Sequence, residues 1–251
     1  MIKEFENLIN KFEEINSKGY IKGINNNLIN SCGLTFENLL GKKADSMFFP
    51  DYEGIEIKCK QRYSRYDINL FCLSFDGPEL FESNYILQKY GKRRTILSLK
   101  KELFINFNIN KMILVNNKYY FELKINYIDK VIYMNIYDIN KRYIEKRGFI
   151  DFKSLEKRIE IKLKKLALVY ASKKKENNDL YFRYYKIVCF KFKDFDTFLK
   201  MIEEGVIKLS LMLRYSKNEK NYGKNKNKNM IFSINDKNLK KIYNVVFFLD
   251  N

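Results

Sequence analysis

The chain contains no histidine, and this absence excludes several kinds of catalytic site before any motif is considered. Catalytic triads and nuclease motifs that depend on histidine cannot form. A general base must therefore be lysine, aspartate, glutamate, tyrosine or metal-bound water. The four cysteines lie singly along the sequence without a CxxC pair, so we do not expect a structural zinc site with closely spaced ligands.

Long apolar segments are also absent. No run approaches the ~20 apolar residues that a membrane-spanning helix requires. Residues 1–20 are amphipathic and mixed in charge, without the apolar core and small-residue cleavage site of a signal peptide. We therefore expect a cytoplasmic protein with no membrane partner. Hydrophobic residues still make up 46% of the chain, which is enough for a sizeable core.

Positive charge is present in large excess. The 251 residues include 48 lysines and arginines against 30 aspartates and glutamates, a net charge of +18. The natural partner of such a chain is a polyanion, either nucleic acid or an anionic membrane surface. No predicted helix combines a basic face with a clean apolar face, so the membrane surface is the weaker alternative. The bias toward Lys, Asn and Ile is also typical of an AT-rich genome and accounts for part of the charge.

The order of apolar patterns predicts an α/β fold with a substantial mixed or antiparallel sheet. Helical spacing predicts helices over residues 2–16 and 152–171. Between residues 95 and 137, apolar strands alternate with Asn-rich turns, which predicts an antiparallel meander. Residues 216–229 are predicted to form a polar, basic loop.

The most informative segment begins at Pro50-Asp51 and ends at Lys58, with the formula PD-x4-E-x-K. Side chains at positions i and i+2 share one face of a strand. Glu56 and Lys58 should therefore project together, while Ile57 faces the core. Asp51 precedes the strand, and Gly54 allows the chain to turn so that Asp51 can approach the same point.

These groups suit the hydrolysis of a phosphodiester. Asp51 and Glu56 would form a hard oxygen site for Mg²⁺, with the backbone carbonyl of Ile57 as a further ligand. Lys58 would lie beside the attacking water or a phosphoryl oxygen, where it favours hydroxide and stabilises developing negative charge. The formula alone is weak, because an ordinary surface strand in a chain that is 31% charged can match it by chance.

A more specific signal comes from eight segments that resemble the MvaI/BcnI family of type II restriction endonucleases, and the first four match that family in order and spacing. This family is related to the MutH nicking endonuclease, and the resemblance covers nearly the whole chain. The segments are GLTFENLLGK (33–42), PDYEGIEIKCKQR (50–62), INLFCLSFDGPE (68–79), LQKYGK (87–92), LEKRIEIKLKKLALVYA (155–171), LYFRYY (180–185), FLKMIEEGVIKLSLMLR (198–214) and NYGK…MIFSI (221–234).

The resemblance implies a PD-(D/E)xK core, in which a mixed sheet is flanked by helices and two lobes surround a DNA cleft. It implies an N-terminal catalytic part (1–95), a strand-rich section (96–150) and a C-terminal section with the DNA-recognition loop (151–251). The implied activity is Mg²⁺-dependent cleavage of double-stranded DNA at a short sequence, by a monomer that cuts one strand at a time. A cognate DNA methyltransferase is expected in the same system, though not as a complex.

The resemblance also assigns roles to particular residues. Asp51 and Glu56 fall on the metal carboxylates, and Lys58 falls on a position where some family members carry histidine. Glu37 falls on the helix glutamate that completes the MutH-like site, although a solvated surface glutamate would look the same. The loop after Tyr222 departs from the family, because histidines that often help to read the target are replaced by Asn and Lys. The target sequence therefore cannot be carried over.

Arginine reads guanine edges bidentately, with ~1–3 kcal/mol of discrimination for each good pair. Arg214 is the strongest candidate for reading bases, because it ends a predicted strand beside the basic loop. For each arginine, a solvated charge or a phosphate contact is the alternative. Lysines within 216–228 are expected to contact phosphates, so that salt weakens binding. The candidate DNA-binding residues are Arg62, Arg65, Arg93, Arg94, Arg183, Arg214, Tyr222 and Lys224.

Two other functions remain open from the sequence. A MutH-like nicking endonuclease in DNA repair would share the chemistry and differ in how many strands it cuts. A non-catalytic basic DNA-binding protein would need no acidic cluster, since uncompensated carboxylates repel an approaching phosphate.

Overall fold

The structure is a computed structural model that describes residues 2–26, 30–42, 49–76, 83–93, 101–214 and 229–250. The chain divides into two compact units, each assembled from segments that are distant in sequence. The first unit comprises Met1–Ile68, Ile159–Asp194 and Asp236–Asn251, and the second comprises Asn69–Arg158 and Phe195–Asn235. The division at residues 95 and 150 stays a prediction. No helix among the described residues is long and apolar enough to cross a membrane.

Helices and strands alternate along the chain, which confirms the predicted mixed α/β class. The helices are α1 (Glu6–Ser17), α2 (Ser31–Leu39), α3 (Ser83–Tyr90), α4 (Phe152–Leu163), α5 (Phe195–Glu203) and α6 (Leu239–Ile242). The strands are β1 (Ile21–Lys22), β2 (Glu56–Gln61), β3 (Ile68–Ser74), β4 (Lys92–Arg93), β5 (Lys101–Phe107), β6 (Ile113–Val115), β7 (Tyr119–Asn126), β8 (Val131–Asp138), β9 (Tyr143–Asp151), β10 (Lys165–Glu176), β11 (Asp179–Phe192), β12 (Ile207–Arg214), β13 (Asn229–Ile234) and β14 (Tyr243–Asp250).

The first unit is built on a mixed sheet in the order β1-β11-β10-β2, with β14 also paired to β11. Strand β10 runs parallel to β2 and antiparallel to β11. One face of this sheet packs against α1 and α2, where Phe12, Phe36, Val169 and Tyr184 are buried in one cluster. Ile57 belongs to the same cluster, so it faces the core as its place in the strand predicts.

The helix predicted over residues 152–171 is wrong in its second half. Helix α4 ends at Leu163, and Lys165 begins strand β10. Leu166 and Val169, expected on one helix face, are instead both buried on opposite faces of the central strand. A strand that is covered on both faces has a continuous apolar sequence, and such a sequence cannot be distinguished from a buried helix by periodicity.

The second unit contains two sheets. Strands β3, β13, β12, β5 and β4 form one sheet in that order, and β6 to β9 form the other. Every pairing in the second sheet is antiparallel and joins consecutive strands, which confirms the predicted meander from residue 113 to residue 137 and extends it through β9. The prediction is wrong for residues 101–107, because β5 pairs with β12 and β4 in the other sheet. Asn116 and Asn117 adopt positive φ in one of its turns, a conformation that asparagine tolerates well. Residues 95–100 of the expected meander lie outside the described residues.

A partly buried carboxylate joins α3 to the meander in this unit. Glu145 of β9 accepts hydrogen bonds from Tyr85 and Tyr90 and pairs with Arg147 at 2.7 Å and Lys89 at 3.2 Å. Burial alone would raise the pKa of Glu145, but the hydrogen bonds from Tyr90, Arg147 and Lys89 outweigh it and lower the pKa to about 2. The charged form is therefore the one that stabilises the fold.

We expect Glu145→Gln to destabilise the protein near neutral pH by up to about 3 kcal/mol, since each pKa unit corresponds to 1.36 kcal/mol. The pKa of Glu145 falls from 4.5 to about 2 on folding, so the stabilisation is complete above pH 4.5 and is lost as the pH falls toward 2. Urea unfolding followed by circular dichroism should show a gap between wild type and variant at pH 7 that closes below pH 4.5. A gap that is constant across this range would contradict the assignment.

Candidate active site

A two-residue turn places Asp51 against the strand that follows it. Tyr52 and Ile55 exchange backbone hydrogen bonds of 3.0 and 2.7 Å, while Glu53 and Gly54 have φ values of 45° and 76°. Glycine suits the second position because it adopts positive φ without steric cost. Asp51 Oδ2 then accepts a hydrogen bond of 3.0 Å from the Ile57 N–H. The turn therefore brings Asp51 back to β2, as the position of Gly54 predicts.

Glu56 lies on the opposite face of β2 from Ile57, together with Lys58. Its Oε1 accepts a hydrogen bond of 2.6 Å from Lys58 Nζ, and its Oε2 accepts one of 2.9 Å from Lys162 Nζ. Glu56 is only 3% exposed, so the charged face of the strand is covered rather than solvated. The alternating sequence predicts a half-exposed strand, and this expectation is wrong at Glu56.

Lys162 is a site residue that the sequence motif does not include. It occupies the last turn of α4, is 8% exposed and also donates a hydrogen bond of 2.6 Å to the Phe49 carbonyl. Its sequence signal is its position three residues after Ile159 and seven after Leu155, on the apolar face of the helix. A lysine on an apolar face needs a buried anionic partner, and Glu56 is that partner.

Two more charged residues border the cluster. Lys42 Nζ lies 3.0 Å from Asp51 Oδ1. Glu37 of α2 is half-buried, and burial raises its pKa, with a further contribution from the negative charge of Asp51. The charges of Lys42 and Lys58 lower it in part. The structure thus places Glu37 within electrostatic reach of the cluster, although Glu37 was assigned to it only by resemblance.

The cluster is close to electrically balanced, because Asp51 and Glu56 are paired with Lys42, Lys58 and Lys162. No three Asp, Glu, Cys or His side chains converge to hold a metal ion within the part of the chain that the structure describes. The oxygen donors grouped by β2 are therefore two carboxylates and main-chain carbonyls, rather than a three-carboxylate cage.

The candidate DNA-binding residues occupy several surfaces. Arg62 and Arg65 are exposed directly after β2, and Arg183 is exposed on β11 of the same unit. Arg93 and Arg214 are exposed on β4 and β12 of the second unit. Arg94, Tyr222 and Lys224 lie outside the described residues. Only Arg62 and Arg65 continue the strand that carries Glu56 and Lys58.

A mixed sheet with this D-x4-E-x-K cluster on one of its strands is the arrangement expected of a restriction-endonuclease-like fold. The model of the MvaI/BcnI restriction endonuclease family matches residues 9–243. The chain belongs to this family, and it is a type II site-specific deoxyribonuclease.

Two solved structures are similar over nearly the whole chain. The complex of restriction endonuclease MvaI with its cognate DNA substrate has 25% identity and a TM-score of 0.84, covering 96% of this chain and 97% of that chain. Restriction endonuclease MvaI in the absence of DNA has 24% identity and a TM-score of 0.61, covering 99% and 98%. The search of curated proteins found no match.

We expect Lys162→Met to destabilise the protein by about 3 kcal/mol, because it leaves the buried Glu56 carboxylate with one of its two lysine partners. Lys157→Met is the matched control, since Lys157 is exposed on the same helix and should change stability by less than about 0.5 kcal/mol. Urea unfolding at neutral pH measures both. Equal stability of the two variants would show that the Lys162–Glu56 pair contributes nothing to the fold.

Proposed function

We propose that this enzyme is Mg²⁺-dependent and hydrolyses phosphodiester bonds of double-stranded DNA with Asp51, Glu56 and Lys58. The family is one of restriction endonucleases, which are generally metal-dependent enzymes. The observation that carries the proposal is the return of the Asp51 carboxylate to the Ile57 N–H, beside a strand on which Glu56 contacts Lys58. Carboxylates and a charged amine are thereby held at one strand edge.

The donor atoms fit Mg²⁺, which prefers oxygen ligands and retains several waters. The Ile57 N–H points away from β10 toward Asp51. Because the N–H and C=O of one residue leave a strand on the same side, the Ile57 carbonyl also faces the side of β2 opposite β10, where Asp51 lies. Asp51, Glu56 and the Ile57 carbonyl would hold the ion, and the substrate phosphate and waters would complete its shell.

Each protein group then has a defined task. A bound Mg²⁺ would supply Lewis-acid stabilisation and a more acidic water. Lys58, held by Glu56, presents its ammonium group to the attacking water or a phosphoryl oxygen and stabilises the negative charge that develops there. Lys162 is already committed to Glu56 and Phe49, so it keeps the Glu56 carboxylate oriented.

The wider biological assignment follows from this chemistry. We propose a cytoplasmic monomer that cuts the two strands in sequence, with a DNA methyltransferase of the same system protecting the host. A repair-type nicking endonuclease is the alternative enzyme, and a non-catalytic DNA-binding protein is the alternative without enzymatic activity. One cleavage experiment separates the three.

Purified protein incubated with unmethylated phage DNA and Mg²⁺ should yield discrete fragments whose sequenced ends reveal the target. We expect Lys58→Ala to cleave at least ~10²-fold more slowly while it still binds DNA, because it loses a charge aimed at the transition state. Lys11→Ala, on the exposed face of α1, is the control and should cut normally. Accumulation of nicks alone would favour the repair enzyme. Intact DNA with binding retained would favour the non-catalytic protein.

We expect Asp51→Asn to raise the Mg²⁺ concentration needed for half-maximal cleavage by about ten-fold or more. The side-chain oxygen can still accept the Ile57 N–H, so the turn is preserved while one anionic ligand is lost. Cleavage is measured across a Mg²⁺ titration, and urea unfolding checks that the fold is intact. An unchanged Mg²⁺ requirement would remove Asp51 from the metal site.

A further inference from the structure

An exposed turn follows directly after β2 and alternates arginine with tyrosine. It comprises residues 62–66, hereafter the 62–66 turn. Tyr63 is 87% exposed and Tyr66 is 83% exposed, more than any other large hydrophobic side chain among the described residues of the first unit. Arg62 and Arg65 are exposed as well. Exposed apolar side chains that lie close together, rather than singly, are a feature of interaction surfaces.

The backbone of this turn is fixed even though its side chains are exposed. Lys60 is 9% exposed, and its Nζ donates hydrogen bonds to the Tyr66 carbonyl at 3.1 Å and to Asp236 at 2.6 Å. Asp236 in turn accepts a hydrogen bond of 3.1 Å from the Tyr170 hydroxyl. The Arg62 N–H donates to the Ala171 carbonyl at 2.7 Å. These hydrogen bonds therefore fix the backbone that carries the exposed side chains.

Tyr63 adopts a φ of 67°, in the left-handed region that bulky residues rarely occupy. Such conformations persist mainly where the surrounding structure enforces them, and they concentrate at functional sites. The Arg62 guanidinium lies 5.2 Å from the Tyr63 ring centre and 5.9 Å from that of Tyr185. The two rings hold the guanidinium by cation–π contact and leave its hydrogen-bond donors available.

The charge of the turn is not compensated. Neither Arg62 nor Arg65 forms an ion pair with any acidic residue that the structure describes. Guanidinium groups suit phosphate, and tyrosine hydroxyls contact phosphate and sugar, so the chemistry fits a nucleic-acid backbone. Arg62 lies four positions after Lys58, a backbone separation of about 13 Å, which corresponds to about four base pairs of duplex.

We propose that the 62–66 turn binds the sugar–phosphate backbone of the DNA duplex within about four base pairs of the cleaved bond, independently of base sequence. In this assignment Arg62 and Arg65 contact phosphates rather than guanine edges, and Tyr63 and Tyr66 pack against the backbone. Lys60 is a positioning residue, because it ties the turn to the strand that carries Lys58. The inference rests on the proposed nuclease function and adds a backbone contact to it.

The test measures DNA affinity across a range of salt concentrations without divalent metal, using two duplexes. One carries the sequence found at the cleaved ends, and the other is a mixed sequence that lacks it. The variant is Arg62→Ala/Arg65→Ala. The control is Lys11→Ala/Lys18→Ala, which removes the same charge from two exposed residues, one in α1 and one directly after it, and α1 packs on the face of the sheet that holds Ile57.

For the arginine variant, we expect the slope of log affinity against log salt to become shallower by about two, one for each lost phosphate contact. The change should be equal on both duplexes, so the ratio of specific to mixed-sequence affinity and the cut position stay the same. The control should keep the wild-type slope. An unchanged slope in the arginine variant, or a reduced ratio from lost base reading, would overturn the proposal.

The failure of this inference is distinguishable from failure of the proposed function. If the wild type binds neither duplex, the nuclease assignment itself is wrong. If the wild type binds and cuts but the arginine variant matches it in slope, only the backbone contact is wrong.

Tyr63→Gly tests the aromatic part of the surface separately. Glycine adopts the observed φ without strain, so the melting temperature should not fall as it would after loss of a packed aromatic ring. We expect weaker binding to both duplexes, by several-fold, with an unchanged salt slope because no charge is lost. Wild-type affinity in this variant would remove Tyr63 from the interface.

Discussion

The burial of Glu56 between Lys58 and Lys162 is the interaction on which the first unit depends. A carboxylate that is almost inaccessible to water is stable only when its charge is paired and its oxygens accept hydrogen bonds. Lys58 supplies one partner from the same strand, and Lys162 supplies the other from α4. The pairing therefore fixes the end of α4 against β2, and β2 cannot move away from α4 without leaving the Glu56 carboxylate with one lysine partner fewer.

This constraint explains why α4 stops where it does. Leu166 lies opposite Glu56 in the parallel pairing of β10 with β2, and Lys162 lies four residues earlier, in the last helical turn. The change from helix to strand between Leu163 and Lys165 thus sets Lys162 against Glu56 and supplies β2 with its neighbour β10 in the sheet. A helix that continued through residue 171 would remove both the contact between Lys162 and Glu56 and the strand that pairs with β2.

The sequence predicts those parts of the fold and site that are local. The strand at Ile57, the turn at Gly54 and the antiparallel meander each follow from patterns within a few residues, and the structure has the strand, the turn and the meander from residue 113 onward. The second half of the helix over residues 152–171 could not be predicted, because an apolar run with covered faces fits both a helix and a central strand. Arg94 and the basic loop, with Tyr222 and Lys224, lie outside the described residues.

The same distinction between local patterns and tertiary contacts applies to the candidate active site. Asp51, Glu56 and Lys58 are close in sequence and share a recognisable spacing, whereas Lys42 and Lys162 join them only through tertiary structure. The alternation of Glu56, Lys58 and Lys60 with apolar residues predicts a solvent-exposed strand face, but α4 and the segment at Asp236 cover this face. The burial of a charged residue depends on the element that packs over it, and the local sequence of a strand does not indicate which element that is.

The pairing of β2 with β10 also has a consequence for the order of events during synthesis. Its partners Glu56 and Leu166 are 166 − 56 = 110 residues apart, and most of the second unit lies between them in the chain. The D-x4-E-x-K segment leaves the ribosome long before Lys162 and β10, which must close a large loop to reach it. A nascent or truncated chain that ends before Lys162 therefore carries the motif without its support. The candidate active site of this nuclease is therefore complete only after most of the chain has been synthesised.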